Sequence, residues 1–459
     1  MREVSRRGFL LSAAALGGAV APSLRGLMAY GATAQPEKAE RPWVMAGEGG
    51  YGPLYRAGPE LALPEGFQYV RLGVEGTVMS DGVPTPRAHD GMAAFRLPNG
   101  NVRLIRNHED RDAPANARLR GPATTAYDLR GGGGTTSLEI AVPESGPPEL
   151  IRDFVSLNGT IFNCAGGPTP WGTWLSCEEI TEGVERGWNR PHGYVFEVAA
   201  DAEGPVACEP LRAMGRFTHE AVAVDPDSGI LYLTEDRLTA GFYRFVPETS
   251  GRLVEGGRLQ MLGIRDSPHY ITSNGQRIGR TLPVAWIDIA EPDPPQAEEN
   301  PLAVFAQGYG RGGALFSRLE GCWYGDGSIY FDATNGGNAE AGQIWQYRPS
   351  AGGDGELTLL FESPSVDILN SPDNLTVSPR GGLVICEDTD GAFVRGLTPT
   401  GKIFDFARNL LNDREFAGAC FSPDGRVLFF NIQGDTAAGG PGDLGMTFAV
   451  WGPWEAGAL

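Results

Sequence analysis

Three times in this chain two acidic residues stand side by side at the end of a short apolar run. Glu178-Glu179 closes "TWLSCEE", Glu235-Asp236 closes "ILYLTED" and Glu387-Asp388 closes "LVICED". Single acids mark runs of the same kind: Glu109 closes "VRLIRNHE", while Glu220 and Glu320 open "HEAVAVDPDSG" and "LEGCWYGDG". Oxygens in this number suit calcium or another hard cation, which takes six to eight oxygen ligands. Cys177, beside Glu178, is a poor calcium ligand but a reasonable one for iron; taken alone it reads equally well as a buried structural cysteine. The mixed donor set favours a site holding both kinds of metal. Arg318, two residues before Glu320, either pairs with a carboxylate or clamps a phosphate or carboxylate substrate. Asn107 is placed with it among the groups facing the substrate, and His108 and His219 are expected to hydrogen-bond behind the ligands. No G-x-S-x-G elbow, P-loop or H-E-x-x-H occurs, so serine acyl transfer, nucleotide hydrolysis and zincin chemistry have no support.

The elements that carry these acids repeat. Six stretches (89–109, 163–179, 219–236, 318–334, 371–388 and 415–433) each have a polar opening, a strand of small or β-branched residues, a Pro/Gly/Asp turn and a strand with a polar end. In an antiparallel hairpin the start of one strand and the end of the other lie together, so all the acids are expected at one mouth of a common channel. Weaker strand pairs at 193–198, 241–247 and 342–349 complete four-stranded units. The fold expected is all-β, a six-bladed β-propeller with a metal cluster at one mouth, because a β-sandwich does not explain six copies of one hairpin. Residues 63–73 or 446–454 should close the ring, and "GGRLQMLGI" and "VAWIDIAEPDP" are the strand candidates in the gap between 236 and 318. The 66 glycines and 35 prolines fit a turn-rich chain with little sustained helical periodicity.

A net charge of -20 argues against nucleic-acid binding and means that an anionic substrate needs a local positive centre. Six cysteines without a C-x-x-C pair and five histidines disfavour zinc or redox motifs. The cysteines are expected to be buried small side chains, with at most one or two disulfides. Arg6-Arg7 before a short apolar stretch and Ala32-Thr33-Ala34 reads as a twin-arginine signal over residues 1–34. A single domain over 35–459 is expected, exported folded by the twin-arginine machinery to the periplasm or the exterior, monomeric and without a membrane span.

"PRAHDGMAAF", "RNHE", "GGGGTTSLEI", "NCAGGPTPWGTWLSCEE", "MGRFTHEAVAVDP", "FSRLEG", "SPDNL" and "EFAGACFSPDG", in this order over most of residues 65–454, resemble the alkaline phosphatase PhoX family. The resemblance implies a six-bladed propeller, twin-arginine export and an iron and calcium cluster that hydrolyses phosphate monoesters. It places the family's iron-ligating cysteine on Cys177, metal-ligating glutamates on Glu220 and Glu320, and a phosphate contact on Arg318. The assignments of Glu109, Glu178, Glu179, Glu235, Asp236, Glu387 and Asp388 as ligands rest on hairpin geometry alone. A non-catalytic calcium-binding envelope propeller and a calcium-dependent lactonase remain open; neither needs a thiolate ligand.

Overall fold

The computed structural model describes residues 49–459 apart from 208 and 351, so the expected signal segment and Cys208 lie outside the described residues. The regular structure of the described residues is nearly all strand, with one seven-residue α-helix, Ala303–Tyr309. None of its helices is long and apolar enough to cross a membrane. All five described cysteines are buried and unpaired.

The six repeated stretches form six antiparallel hairpins. In order their strands are His89–Arg96 with Val102–His108, Asn163–Pro168 with Thr173–Glu178, His219–Val224 with Leu231–Glu235, Leu319–Gly325 with Ser328–Ala333, Pro372–Val377 with Leu383–Glu387, and Phe416–Phe421 with Val427–Ile432. The arrangement is propeller-like, but the strands join into five sheets rather than six separate ones. The first, second, fifth and sixth hairpins belong to four individual sheets, while the third and fourth share a nine-stranded sheet. The join lies in the gap between 236 and 318, where both candidate segments contain strands: Gly257–Ile264 and Thr281–Asp288 pair with each other, and the latter also pairs with Gly355–Glu362 on the fourth hairpin's side. Both candidate closing segments take part in the closure. Met446–Trp451 is the third strand of the sixth hairpin's sheet, and Gln68–Val74, from the other end of the chain, is its fourth.

Polar side chains link neighbouring hairpins near one end. Asn107 of the first donates to the carbonyls of Cys164 and Ala165 in the second (3.1 and 2.7 Å). Thr234 of the third donates to Glu320 O of the fourth (2.5 Å), and Thr334 of the fourth to Pro372 O of the fifth (2.6 Å). Gly418 N of the sixth donates to Asn374 Oδ1 of the fifth, and Asn431 returns to Asp90 O of the first, each at 2.7 Å. The strands approach so closely here that a Cβ on Gly91 would lie 2.6 Å from Ala165 Cα, and one on Gly321 2.6 Å from Asp373 O. Small residues at these openings are a packing requirement.

Asn107 is therefore corrected from its expected place beside the substrate. Its amide donates to the two carbonyls, and its Oδ1 accepts from Trp174 Nε1 (2.8 Å) and Ser176 Oγ (2.9 Å), all in the interior. No hydrogen-bonding capacity remains for a ligand. Asn107→Ala removes a partner from four buried polar groups; Ser176 Oγ keeps its bond from Asn163, and each of the others costs about 1–3 kcal/mol if unpaired. We expect denaturant unfolding to show a loss of about 3 kcal/mol or more, with the residual folded fraction still binding metal; a loss below about 1 kcal/mol would contradict this role.

Candidate metal centre

Two backbone devices aim the opening residues, a left-handed corner in four of the hairpins and a bulge in all six. Ala88, Phe162, Arg318 and Ser371 have φ values of 52°, 48°, 46° and 51°, in the left-handed region that side-chain-bearing residues rarely adopt. Two residues after each corner come Asp90, Cys164, Glu320 and Asp373. A register shift follows in all six hairpins, where an extra residue in the first strand forms a bulge. Corner and bulge together turn these side chains, and Glu220 in the third hairpin, into the mouth.

Their donor atoms form three linked groups, each with all atoms within 4.8 Å of one another: Asp90, Glu109 and Cys164; Cys164, Glu179 and Glu220; Glu220, Glu320 and Asp373. Cys164 belongs to the first two and Glu220 to the last two, so the groups form one continuous band across five hairpins.

The paired acids behave differently from what the sequence suggested. Successive residues on a strand point to opposite sides, and one acid of each pair turns away from the mouth to bond its own sheet. Glu178 accepts from the backbone N–H groups of Ile161 (3.1 Å), Gly193 (2.8 Å) and Tyr194 (3.3 Å) and pairs with His192 Nδ1 at 2.6 Å. Glu235 accepts from Gly241 N (2.8 Å) and Tyr243 Oη (2.7 Å). Glu387 accepts from Asn370 N, Phe393 N and Arg395. These three acids belong to none of the three donor groups, and their expected ligand role is corrected to closing the loop before the next strand. Their neighbours take the mouth side: Glu179 enters the band, Asp236 holds Arg318, and Asp388 lies close enough to raise the proton affinity of Asp373 and Glu415. Glu109 and Glu320 are in the band as expected.

Cys177 is also corrected. It alternates with Ser176 and Glu178 and packs with Leu175, Val195, Val222 and Leu231 in an apolar cluster. The thiol among the carboxylates is Cys164, whose Sγ lies 3.8 Å from Asp90 Oδ2. A signal for it was present: Cys164 holds the same place in "NCAGG" that Glu220 holds in "HEAVA", the second residue of a first strand. His108 and His219 fill the supporting role expected of them. His108 bonds Arg87 O and Thr136 Oγ1, each at 2.8 Å, and His219 bonds Gly215 O at 3.0 Å. Burial lowers the pKa of His219 to about 4, so it is neutral.

Arg318 reaches the mouth and is gripped there by Asp236 (Nε to Oδ1, 3.0 Å) and Glu320 (Nη2 to Oε1, 2.5 Å). Arg111, which drew no attention in the sequence, bonds Glu109 through Nε and Nη2 and Glu179 through Nη2 (2.9 Å).

Glu220 provides the test of whether this band suits cations. It is fully buried, and neither of its carboxylate oxygens has a hydrogen-bond partner. Buried carboxylates are otherwise hydrogen-bonded or paired, because an unpaired one costs several kcal/mol. Burial, reinforced by neighbouring carboxylates, pushes Asp90, Glu220 and Glu320 well above the usual range, and Asp373 up to about 7. Such a band binds either protons or cations, and its hard oxygens with one thiol fit both calcium and iron.

An all-β propeller-like ring whose mouth gathers acids and a thiol defines a protein with a candidate metal centre. The family described as alkaline phosphatase PhoX matches residues 49–435, and the chain belongs to that family. It is a phosphoric monoester hydrolase of the alkaline phosphatase type. Among solved structures, Pseudomonas fluorescens PhoX in complex with vanadate, a transition-state analogue, shares the fold at a TM-score of 0.67 and 19% identity, over 87% of this chain and 97% of that one. A gluconolactonase of Xanthomonas campestris aligns at a TM-score of only 0.38 and 12% identity, over 86% of this chain and 98% of that one, too loosely to bear on function. No curated protein matches the chain.

The band sets a pH dependence. A carboxylate with a raised folded-state pKa favours the fold while protonated, so its contribution is lost as pH rises from its unfolded value near 4 to its folded value. For Asp373, and for Glu235, which burial also raises to about 7, that window is about pH 4 to 7. Asp128, lowered to about 2, acts below it. Chelator-treated protein should melt at a higher temperature at pH 5.5 than at pH 8, and calcium should remove most of the difference. A higher melting temperature at pH 8 without cations would contradict the account.

Proposed function

We propose that this protein is an exported phosphomonoesterase whose mouth holds a mixed iron and calcium cluster. The observation that carries the reading is the fully buried, unpartnered carboxylate of Glu220, next to a thiol and linking two groups of oxygen donors. Cys164 with Asp90, Glu109 and Glu179 would hold iron, because a thiolate suits it; Glu220, Glu320 and Asp373 offer only oxygen and would hold calcium. When bound, the cations supply Lewis acidity toward the phosphoryl oxygens. The chain's own residues then bind and orient. Arg318 presents a planar fork to the phosphate, and Asp236 and Glu320 fix that fork, so little rotamer entropy is lost on binding. The burial of Asp90, Glu220 and Glu320 keeps the floor of the site dry, which strengthens each electrostatic contact above it.

We count the ring as six blades, taking the nine-stranded sheet as the third and fourth blades joined through Thr281–Asp288. The six hairpins, which all carry a bulge near their opening and four of which carry a left-handed corner before it, support that count. Export through the twin-arginine pathway to the periplasm or beyond rests on the sequence of residues 1–34. It suits a cluster that is loaded before the protein leaves the cytoplasm. A calcium-only scaffold or lactonase would give Cys164 no task among the carboxylates.

The two cysteines separate these readings. Cys164→Ser should lose iron and nearly all turnover of an aryl phosphate while the fold persists, since a hydroxyl is a much weaker ligand for iron than a thiolate. Cys177→Ser should keep its metals and lose stability by about 1–3 kcal/mol from a hydroxyl buried in an apolar cluster. Elemental analysis and steady-state rates on the same samples check both. Full iron and full rate in Cys164→Ser would exclude the proposal.

A further inference from the structure

We infer that Arg111 is a second phosphate-binding guanidinium, set beside the donor band as a counterpart to Arg318, and that the two together favour monoester dianions over diesters. The inference rests on the phosphatase reading above and deepens it.

The two arginines are built alike. Each bridges two carboxylates from adjacent hairpins: Arg318 joins Asp236 of the third to Glu320 of the fourth, and Arg111 joins Glu109 of the first to Glu179 of the second. Each uses Nε and Nη2 for these bonds and keeps Nη1 out of them. Each is open to solvent, with 43% of the Arg111 side chain and 32% of the Arg318 side chain exposed, although the band beneath is buried. They border the same band, because Glu179, held by Arg111, and Glu320, held by Arg318, each have a donor atom within 4.8 Å of one on Glu220.

The base of Arg111 is also fixed. Its backbone N–H donates to Thr436 O (2.8 Å), in the chain leaving the sixth hairpin, and its guanidinium lies over the Phe162 ring at 5.6 Å. An arginine needed only to neutralise buried Glu109 would gain nothing from remaining so exposed. A guanidinium held on one edge and free on the other is preorganised for an anion.

Two such groups on either side of a cation-binding band fit a terminal phosphate with three free oxygens. One faces the floor of the site and one faces each arginine. A diester monoanion has only two free oxygens and carries a second substituent where an arginine would bind, so it should gain less from Arg111.

The test uses the metal-loaded enzyme with Arg111→Ala, Arg111→Lys and Arg318→Ala beside the wild type. Metal content, inorganic phosphate binding by calorimetry, and KM and kcat for an aryl phosphate and a bis-aryl phosphate diester are measured on each. Loss of one charge-assisted contact weakens binding about 10- to 100-fold. Arg111→Ala should therefore raise the phosphate Kd and the monoester KM by about that factor with metal content unchanged. Its kcat/KM for the diester should fall about threefold or less, and Arg111→Lys should recover part of the loss. A phosphate Kd within about twofold of wild type overturns the inference, as does a loss that merely follows loss of metal, which would make Arg111 a support for Glu109 and Glu179. If the loaded wild type hydrolyses no aryl phosphate, the phosphatase reading fails while calorimetry still decides whether Arg111 binds phosphate.

Discussion

The site depends on the two-residue alternation of a β-strand. Where two acids stand side by side, a strand sends them to opposite sides, and this protein uses both directions. Glu178, Glu235 and Glu387 turn back to satisfy the N–H groups of the loops entering the next strand, and Glu179, Asp236 and Asp388 take the mouth side. The inward acids therefore hold the platform on which the outward acids stand. Exchanging the two members of a pair would lose both tasks at once.

The second constraint is electrostatic. Asp90, Glu220, Glu320 and Asp373 are buried close together, and only a few cations of the chain itself reach them. Arg318 and Arg111 approach from the solvent side and leave Glu220 without a partner. Protons can neutralise such a band at low pH, whereas metal ions neutralise it at any pH where carboxylates ionise. At alkaline pH the fold and the cations are therefore mutually dependent. The tight links among hairpins, from Asn107 to the carbonyl of Cys164 and from Thr234 to that of Glu320, keep the ligands from spreading apart under this repulsion.

Much of this was legible in the chain. Six copies of one hairpin pointed to a ring, and antiparallel geometry put their acids at one end; Glu109, Glu179, Glu220, Glu320 and Arg318 lie where that argument placed them. What it missed was finer than a strand. Glu178, next to Glu179, turns back to its own sheet, and Cys177, two residues before Glu179, is taken up by the apolar cluster with Leu175 and Val222, so the cysteine that joins the acids is Cys164 on the partner strand. The bulges could not be read from residue types, yet they decide which opening residue enters the mouth. Asn107 was legible as polar and central, but not as fully engaged with Cys164, Ala165, Trp174 and Ser176. The pairing of Thr281–Asp288 with Gly355–Glu362, which merges two units into one nine-stranded sheet, is a long-range edge contact without a local signature.

The central claim is that the hairpin bulges bring Cys164 and Glu220 to the mouth to hold metal, while Cys177 is packed in an apolar cluster and Glu178 is bonded to its own sheet. Anomalous diffraction at the iron edge, on crystals of protein purified with its native metal, tests this most directly. The account predicts an iron peak within bonding distance of Cys164 Sγ, with further cation density at the Glu220 oxygens and none beside Cys177 or Glu178. An iron peak at Cys177, or no cation at either Glu220 oxygen in metal-replete crystals, would contradict it.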